Sequence, residues 1–404
     1  MMLEKMETLY FIFVRQLRSV GMNFFRYLHH TIDWSNRLIF ISGPRGSGKT
    51  TLLLQHILKE FGETPRDVLY VSLDHIWFSA NTLYDLGMDF VLQGGRYLFL
   101  DEVHKYHDWS REVKNLYDAF PELNIVITGS SILEIYRGEA DLSRRAVHYS
   151  LPGLSFREFL SFENLLTIEP ISLGELLENH VAVCSEITKS VKILPAFSDY
   201  LSHGYFPYYK EDVKTYHQRL LQTINTVLEV DLPAVKGIDY ASLDKIKQLL
   251  YIIAQMVPFT PNISQLSEKI GVSRNSLLAY LRYLESAQVI QTLKPNKGKL
   301  GRLTKPEKIY LNHPNYIVAF VGRQLADKGT MRETFFCNQL KRVAEVSSSD
   351  ITDFKVDHTY FFEVGGRNKG REQIMGLEHA YIAADDIELG FRDKIPLWLF
   401  GFLY

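Results

Sequence analysis

The stretch Arg37-Leu-Ile-Phe-Ile-Ser-Gly43-Pro-Arg-Gly-Ser-Gly48-Lys49-Thr50-Thr-Leu-Leu-Leu-Gln55 decides the fold. Leu38 to Ile41 reads as a buried strand, Gly43 to Thr50 spells G-x-x-x-x-G-K-T, and a helix is predicted to begin near Lys49. In that setting the glycines let successive backbone N–H groups face inward around a polyphosphate, and the helix N-terminus adds the positive end of its dipole. The cradle is formed by Gly43, Pro44, Arg45, Gly46, Ser47, Gly48, Lys49, Thr50 and Thr51. Lys49 is expected to reach the β- and γ-phosphates of ATP, and the Thr50 hydroxyl to hold Mg²⁺. The plain alternative is a Gly-rich strand-to-helix turn with no ligand.

Working outward, the helix runs from 50 to 61, followed by a strand over 68–73 and a helix over 81–92. Next comes Arg96-Tyr-Leu-Phe-Leu-Asp101-Glu102. A buried strand here delivers Asp101 to the Mg²⁺ shell, while Glu102 orients and activates the attacking water. An acidic pair after a strand is common. Its place after the phosphate loop makes it specific, because ligands gather at the carboxyl ends of parallel strands. A further strand, Asn124 to Thr128, leads into Gly129, Ser130 and Ser131. Ser130 is the candidate γ-phosphate sensor; a simple helix cap is the bland reading of the same hydroxyls. Beyond it, Arg144 and Arg145 offer an arginine finger for the departing phosphoryl group, or else a surface pair or structural salt bridge. His104 and His107 follow the acids three apart, with too few neighbouring ligands for a metal site, and read as surface or supporting residues.

The segments Gly43 to Gln55, Leu98-Phe-Leu-Asp-Glu-Val-His104, Ile125-Val-Ile-Thr-Gly-Ser-Ser131 and Gly153-Leu-Ser-Phe-Arg-Glu-Phe159 resemble the prokaryotic AAA-type ATPases that carry a C-terminal module of unknown function. The motifs cover roughly residues 1 to 165, and the likeness beyond is looser. The resemblance implies an α/β fold with an ASCE-type parallel sheet, ATP hydrolysis with Mg²⁺, and a following region with a winged helix and a restriction-endonuclease-like fold. It places the family's arginine finger on the pair Arg144 and Arg145 without choosing between them.

Composition sets wide bounds. The chain has 404 residues, enough for two or three domains, and its 46% hydrophobic and 23% charged residues are those of an ordinary globular protein. A formal charge of -2 gives no global field toward nucleic acid or membrane, so any basic surface must be local. The 2 cysteines, Cys184 and Cys337, offer no disulfide framework and fit a reducing cytosol. The N-terminal run Leu9 to Val14 is cut at Arg15 and Arg18, and the apolar tail Pro396 to Tyr404 is too short for a bilayer. A cytoplasmic location and a buried strand or docking tail are expected.

Near the N-terminus, an amphipathic helix is predicted around Leu9 to Leu28, its aromatic stripe packed on the nucleotide domain. Helices over 173–183, 185–194 and 215–230 follow, with an aromatic turn over 197–207. A helix from Ser264 to Ile270, a Gly271 turn, Ser273 as cap, a helix from Arg274 to Ala287 and a strand from Val289 to Leu293 make a winged helix-turn-helix. Its wing carries Lys294, Lys297, Lys299, Arg302, Lys305 and Lys308 against Glu307. That hairpin can meet phosphates, with Arg274, Asn275 and Arg282 as readers on the second helix, or the module can pack on protein and leave the hairpin solvated. In the last segment Glu333 lies on a helix, and Asp353 with Glu363 resembles the restriction-endonuclease-like metal pair. Gly365 stands where that pattern has a lysine. Lys369 is the substitute within reach, and cleavage is not expected.

The domain reading is 1–165 for the ATPase, 166–240 for a helical coupling region, 241–312 for the winged helix and 313–404 for the endonuclease-like part. The functional reading is an Mg²⁺-dependent ATPase whose nucleotide state controls a C-terminal module that binds double-stranded DNA or a protein partner. Its alternative is a DNA-binding protein or metal-dependent nuclease for which ATP is a structural or regulatory ligand. A P-loop kinase explains the Asp101 and Glu102 pair less well, since Glu102 suits water better than an acceptor. No membrane role is expected, and a homo-oligomer with a finger acting across subunits stays open.

Overall fold

A computed structural model describes residues 2–129, 142, 144–233, 238–256, 260–295 and 306–404. The chain forms two compact units, Met1–Gly153 and Leu154–Tyr404.

The first unit is built on a parallel sheet of β1 (Leu38–Ser42), β2 (Val68–Ser72), β3 (Tyr97–Asp101), β4 (Asn124–Gly129) and β5 (Val147–Ser150), in the order β2-β3-β4-β1-β5. Both faces of the sheet are covered, which is why the strands read as unbroken apolar runs. Leu38, Phe40, Leu98, Leu100, Ile125 and Ile127 pack on one face with α4 (Leu83–Leu92) and α5 (Trp109–Ala119). The alternate residues Ile39, Ile41, Phe99 and Val126 pack on the other with α1 (Met2–Ser19) and α3 (Lys49–Phe61). Period-two alternation does the sorting, and each such side chain contributes about 2 kcal/mol by leaving water. Because the strands are parallel, their carboxyl ends line up on one edge, which brings Gly43, Ser72, Asp101 and Gly129 together.

The N-terminal helix differs from its predicted span. It begins at Met2 and stops at Ser19, and only one further turn, α2 (Leu28–Thr31), is helical before β1. Gly21 would cost a helix continued through it about 1 kcal/mol. A tertiary demand then takes over, because the carbonyls of Gly21 and Phe24 accept 2.7 and 2.8 Å hydrogen bonds from Gln55 Nε2 on α3. Strand β5 has no counterpart among the predicted elements. Its residues are half exposed, so it lacks the apolar run that marks the others.

The second unit opens with α6 (Phe156–Phe162), whose cap is reciprocal: Ser155 Oγ accepts from the Glu158 N–H and the Glu158 carboxylate accepts from the Ser155 N–H. Two corrections follow. The stretch 173–190 is one helix, α7 (Leu173–Ser190), since Leu176, Leu177, His180, Cys184 and Ile187 keep a continuous buried stripe through the predicted break. The aromatics from Phe197 belong to α8 (Ile193–His203), where Ile193, Ala196, Phe197, Tyr200 and Leu201 follow helical spacing and the turn comes at Gly204. After α9 (Tyr216–Thr226) and α10 (Tyr240–Met256) come α11 (Ile263–Ile270), the Gly271 turn and α12 (Arg274–Ser286), capped by Ser273 Oγ on the Ser276 N–H. They lead into an antiparallel pair, β6 (Ile290–Leu293) and β7 (Lys308–Leu311).

The rest of the unit holds α13 (Pro314–Val321), α14 (Lys328–Leu340) and a second sheet. Its strands are β8 (Val346–Ser348), β9 (Phe354–Val356), β10 (Tyr360–Gly365), β11 (Ala380–Ala384) and β12 (Lys394–Pro396), in the order β12-β11-β10-β9-β8. β10, β11 and β12 run parallel and the others antiparallel. The apolar tail forms a buried 3-10 segment, Leu397–Phe402. Cys184 and Cys337 are buried free thiols.

Candidate functional site

The turn after β1 is shaped by two glycines. Gly48, the residue before α3, has φ 93°, a left-handed conformation that side chains resist. At Gly43 a Cβ would lie 2.2 Å from the Leu151 carbonyl oxygen, so the backbone there admits no side chain. Directly after Gly48, Lys49, 4% exposed, folds its ammonium back onto the loop, donating to the carbonyls of Gly43 at 3.0 Å and Pro44 at 3.1 Å.

Asp101, at the end of β3, is the hub. Its Oδ2 accepts 2.6 Å from the Thr50 hydroxyl and 2.8 Å from the Tyr70 phenol on β2, while Oδ1 accepts from the Thr128 hydroxyl at the end of β4 and from the Glu102 N–H at 3.1 Å. Burial, then the adjacent Asp101 carboxylate, pushes the Tyr70 phenol far above its ordinary range, so it stays a donor. Glu102 takes a left-handed backbone (φ 53°), fixed by its N–H, which also reaches Thr128 Oγ1 at 3.2 Å. Its carboxylate Oε2 lies 3.3 Å from His104 Nε2. The two histidines part company: His104 is buried and His107 is on the surface beside Asp108.

The structure thus brings together Lys49, Thr50, Asp101 and Glu102, from the first helix turn and the end of β3. Ser130 lies outside the described residues. Arg145 forks onto Asp118 of α5, Nε to Oδ1 at 2.9 Å and Nη2 to Oδ2 at 3.0 Å, and Arg144 is exposed.

Sequence reading passed over Tyr70 and Arg26. Arg26 is buried in the irregular stretch before α2 and donates to the carbonyl of Ser47 in the loop, and to those of Pro152 at 2.9 Å and Gly153 at 3.0 Å. A lone arginine in an aromatic stretch carries no motif, so only its burial exposes the role. Arg26→Ala strands three buried acceptors, and about 3 kcal/mol of stability should go with them. By scanning calorimetry the first unit should melt roughly 6 to 12 °C lower, with Arg26→Lys recovering only part because an ammonium lacks the fork. An unchanged melting temperature would remove Arg26 from this account.

A second group lies in the other unit. Lys369 Nζ is 2.5 Å from Glu363 Oε1, and Lys308 Nζ lies 3.7 Å from Glu333 and 3.6 Å from Asp353. Asp353 Oδ2 accepts from the Val364 N–H at 2.9 Å. Burial, then the neighbouring Asp353 charge, raises the Glu363 carboxyl above its usual range, with Lys369 opposing. A Cβ on Gly365 would meet Lys369 Cβ and Cγ at 2.8 Å, so the lysine stem covers the glycine. Among the described residues no group of three or more His, Cys, Asp or Glu is arranged to hold a metal ion, and no helix is long and apolar enough to cross a membrane. On α12, Arg274, Asn275 and Arg282 are exposed, while Lys297, Lys299, Arg302 and Lys305 lie outside the described residues.

A family model described as an AAA domain matches residues 35–160, and one described as a domain of unknown function (DUF8612) matches residues 194–323. Uncharacterized protein MJ1637 of Methanocaldococcus jannaschii is 28% identical over 285 residues, or 67% of this chain and 60% of that protein. The chain therefore spans about 60% of the length of that curated relative. Among solved structures, AMPPCP-bound DnaA from Aquifex aeolicus aligns at 15% identity with a TM-score of 0.24, covering 64% of this chain and 84% of that one. Domain III of the Thermotoga maritima replication initiation protein DnaA aligns at 16% identity with a TM-score of 0.24, covering 43% and 83%.

Proposed function

We propose that this protein, whose N-terminal unit is an AAA-type P-loop ATPase domain, binds and hydrolyses ATP with Mg²⁺ and uses the nucleotide state to control its C-terminal unit. The observation that carries the reading is the 2.6 Å bond from Thr50 to Asp101, which joins the loop hydroxyl to the strand-end acid beneath a glycine-shaped loop. Two hard oxygen donors at that spacing fit Mg²⁺, which when bound neutralises phosphate charge. Loop amides from Arg45 to Thr51 grip the phosphates, Lys49 pairs with the β and γ groups, and Glu102 takes a proton from the attacking water. Ser130 keeps the sensor role by position in sequence. Of the two arginines, Arg144 is the finger in this reading, because Arg145 is engaged with Asp118.

Glu102→Gln tests the reading directly. Turnover of ATP should fall about a hundredfold to ten-thousandfold while calorimetric binding of ATP persists, since no phosphate contact is assigned to that side chain. A variant as active as the wild type would defeat the assignment. Coupling to the second unit is tested by ATPase assays with and without double-stranded DNA. Stimulation would support nucleic acid as the partner, and indifference would favour a protein.

A second reading, a metal-dependent nuclease regulated by ATP, draws support from the Lys369 stem over Gly365 with its ammonium on Glu363. Under it, Mg²⁺- or Mn²⁺-dependent cleavage of double-stranded DNA would appear in the full chain and vanish in Glu363→Ala with ATPase activity intact. No cleavage by the wild type would end it.

A further inference from the structure

Just beyond Glu102 the chain makes a single 3-10 turn, Val103–Lys105, packed near the end of β4. That turn sinks the His104 side chain to 2% exposure and sets Nε2 3.3 Å from Glu102 Oε2, while the Glu102 side chain keeps 24% exposure. His107, only three residues on, is 92% exposed, so burial belongs to His104 itself and not to the segment. An ionised carboxylate only accepts hydrogen bonds, so the ring nitrogen facing it is placed to donate, as the imidazolium or as the Nε2–H tautomer of the neutral ring.

The Glu102 backbone has little freedom left. Its left-handed conformation is pinned by the N–H bonds to Asp101 and Thr128, so the carboxylate is aimed by side-chain torsions alone. A flexible glutamate samples many rotamers and spends only part of its time where a water can use it. A buried donor on one carboxylate oxygen narrows that choice.

We propose that His104 is a positioning residue for hydrolysis: it holds the Glu102 carboxylate in the orientation from which it takes the proton of the attacking water. The inference rests on the hydrolytic reading above. In that step the water oxygen bonds to the γ-phosphorus, its proton passes to Glu102, and the bond from that phosphorus to the β,γ-bridging oxygen breaks, leaving ADP and inorganic phosphate. His104 touches none of the reacting atoms and acts through Glu102.

The test is a double-mutant cycle in the full chain with saturating ATP and Mg²⁺. His104→Phe should lower kcat about 10- to 100-fold with KM and ATP affinity unchanged, and His104→Gln, which keeps an N–H donor, should recover part of the loss. In a Glu102→Gln background, His104→Phe should cost nothing further, because its effect runs through the carboxylate. Wild-type kcat in His104→Phe, or the same factor lost in both backgrounds, would overturn the proposal. If His104→Phe does not fold, the cycle is run with His104→Gln and the same non-additivity is expected. Failure of the hydrolytic reading looks different, since Glu102→Gln alone would then turn over at the wild-type rate.

Discussion

Lys49→Ala should drop ATP turnover about a thousandfold or more and remove measurable binding at ordinary ATP concentrations. The Lys49 ammonium is held by the carbonyls of Gly43 and Pro44, so it already lies against the loop that would receive the phosphates. A polyphosphate with up to four negative charges needs that cation, because the amides and the helix dipole supply only partial charges. Lys49→Arg should not rescue, since a planar fork cannot take the place of a compact point charge. Isothermal titration and phosphate release measure the two effects separately. Wild-type hydrolysis in Lys49→Ala would refute the placement of the nucleotide.

Arg144→Ala and Arg145→Ala should differ sharply. An arginine finger is worth about a thousandfold in turnover, and Arg144→Ala is expected to lose that much while still binding ATP. Arg145 already spends its fork on Asp118, where Lys114 also lies 3.2 Å away, and its side chain holds the Asp118 carboxyl below the ordinary range. Exposed pairs of that kind contribute little, so Arg145→Ala should change turnover and melting temperature only slightly. Mixing Lys49→Ala with Arg144→Ala protein then tells whether the finger acts across subunits, because only a trans arrangement lets the mixture regain activity. Equal losses in the two single variants would reject the distinction.

The parts legible in the sequence are those with local causes. β1, β3 and β4 are buried on both faces and read as unbroken apolar runs, and the glycines of the loop announce a backbone that only glycine adopts. Ser273 and Gly271 marked a helix start and stop by their own chemistry. What stayed hidden depends on distant partners. α1 stops at Ser19 because Gln55, far along the chain, claims the carbonyls of Gly21 and Phe24. Tyr70 looked like one more apolar strand residue until its hydroxyl met Asp101. His104 and His107 are alike in sequence, and only the tight turn at Val103 sends one inward.

The Arg26 clamp has a mechanical side. One guanidinium grips the Ser47 carbonyl and, at its other end, the two peptide oxygens of Pro152 and Gly153 with which the first unit closes. A rigid planar group leaves almost no slack between those points. A ligand that displaced the Ser47 peptide would therefore pull, through a single side chain, on the last links of that unit.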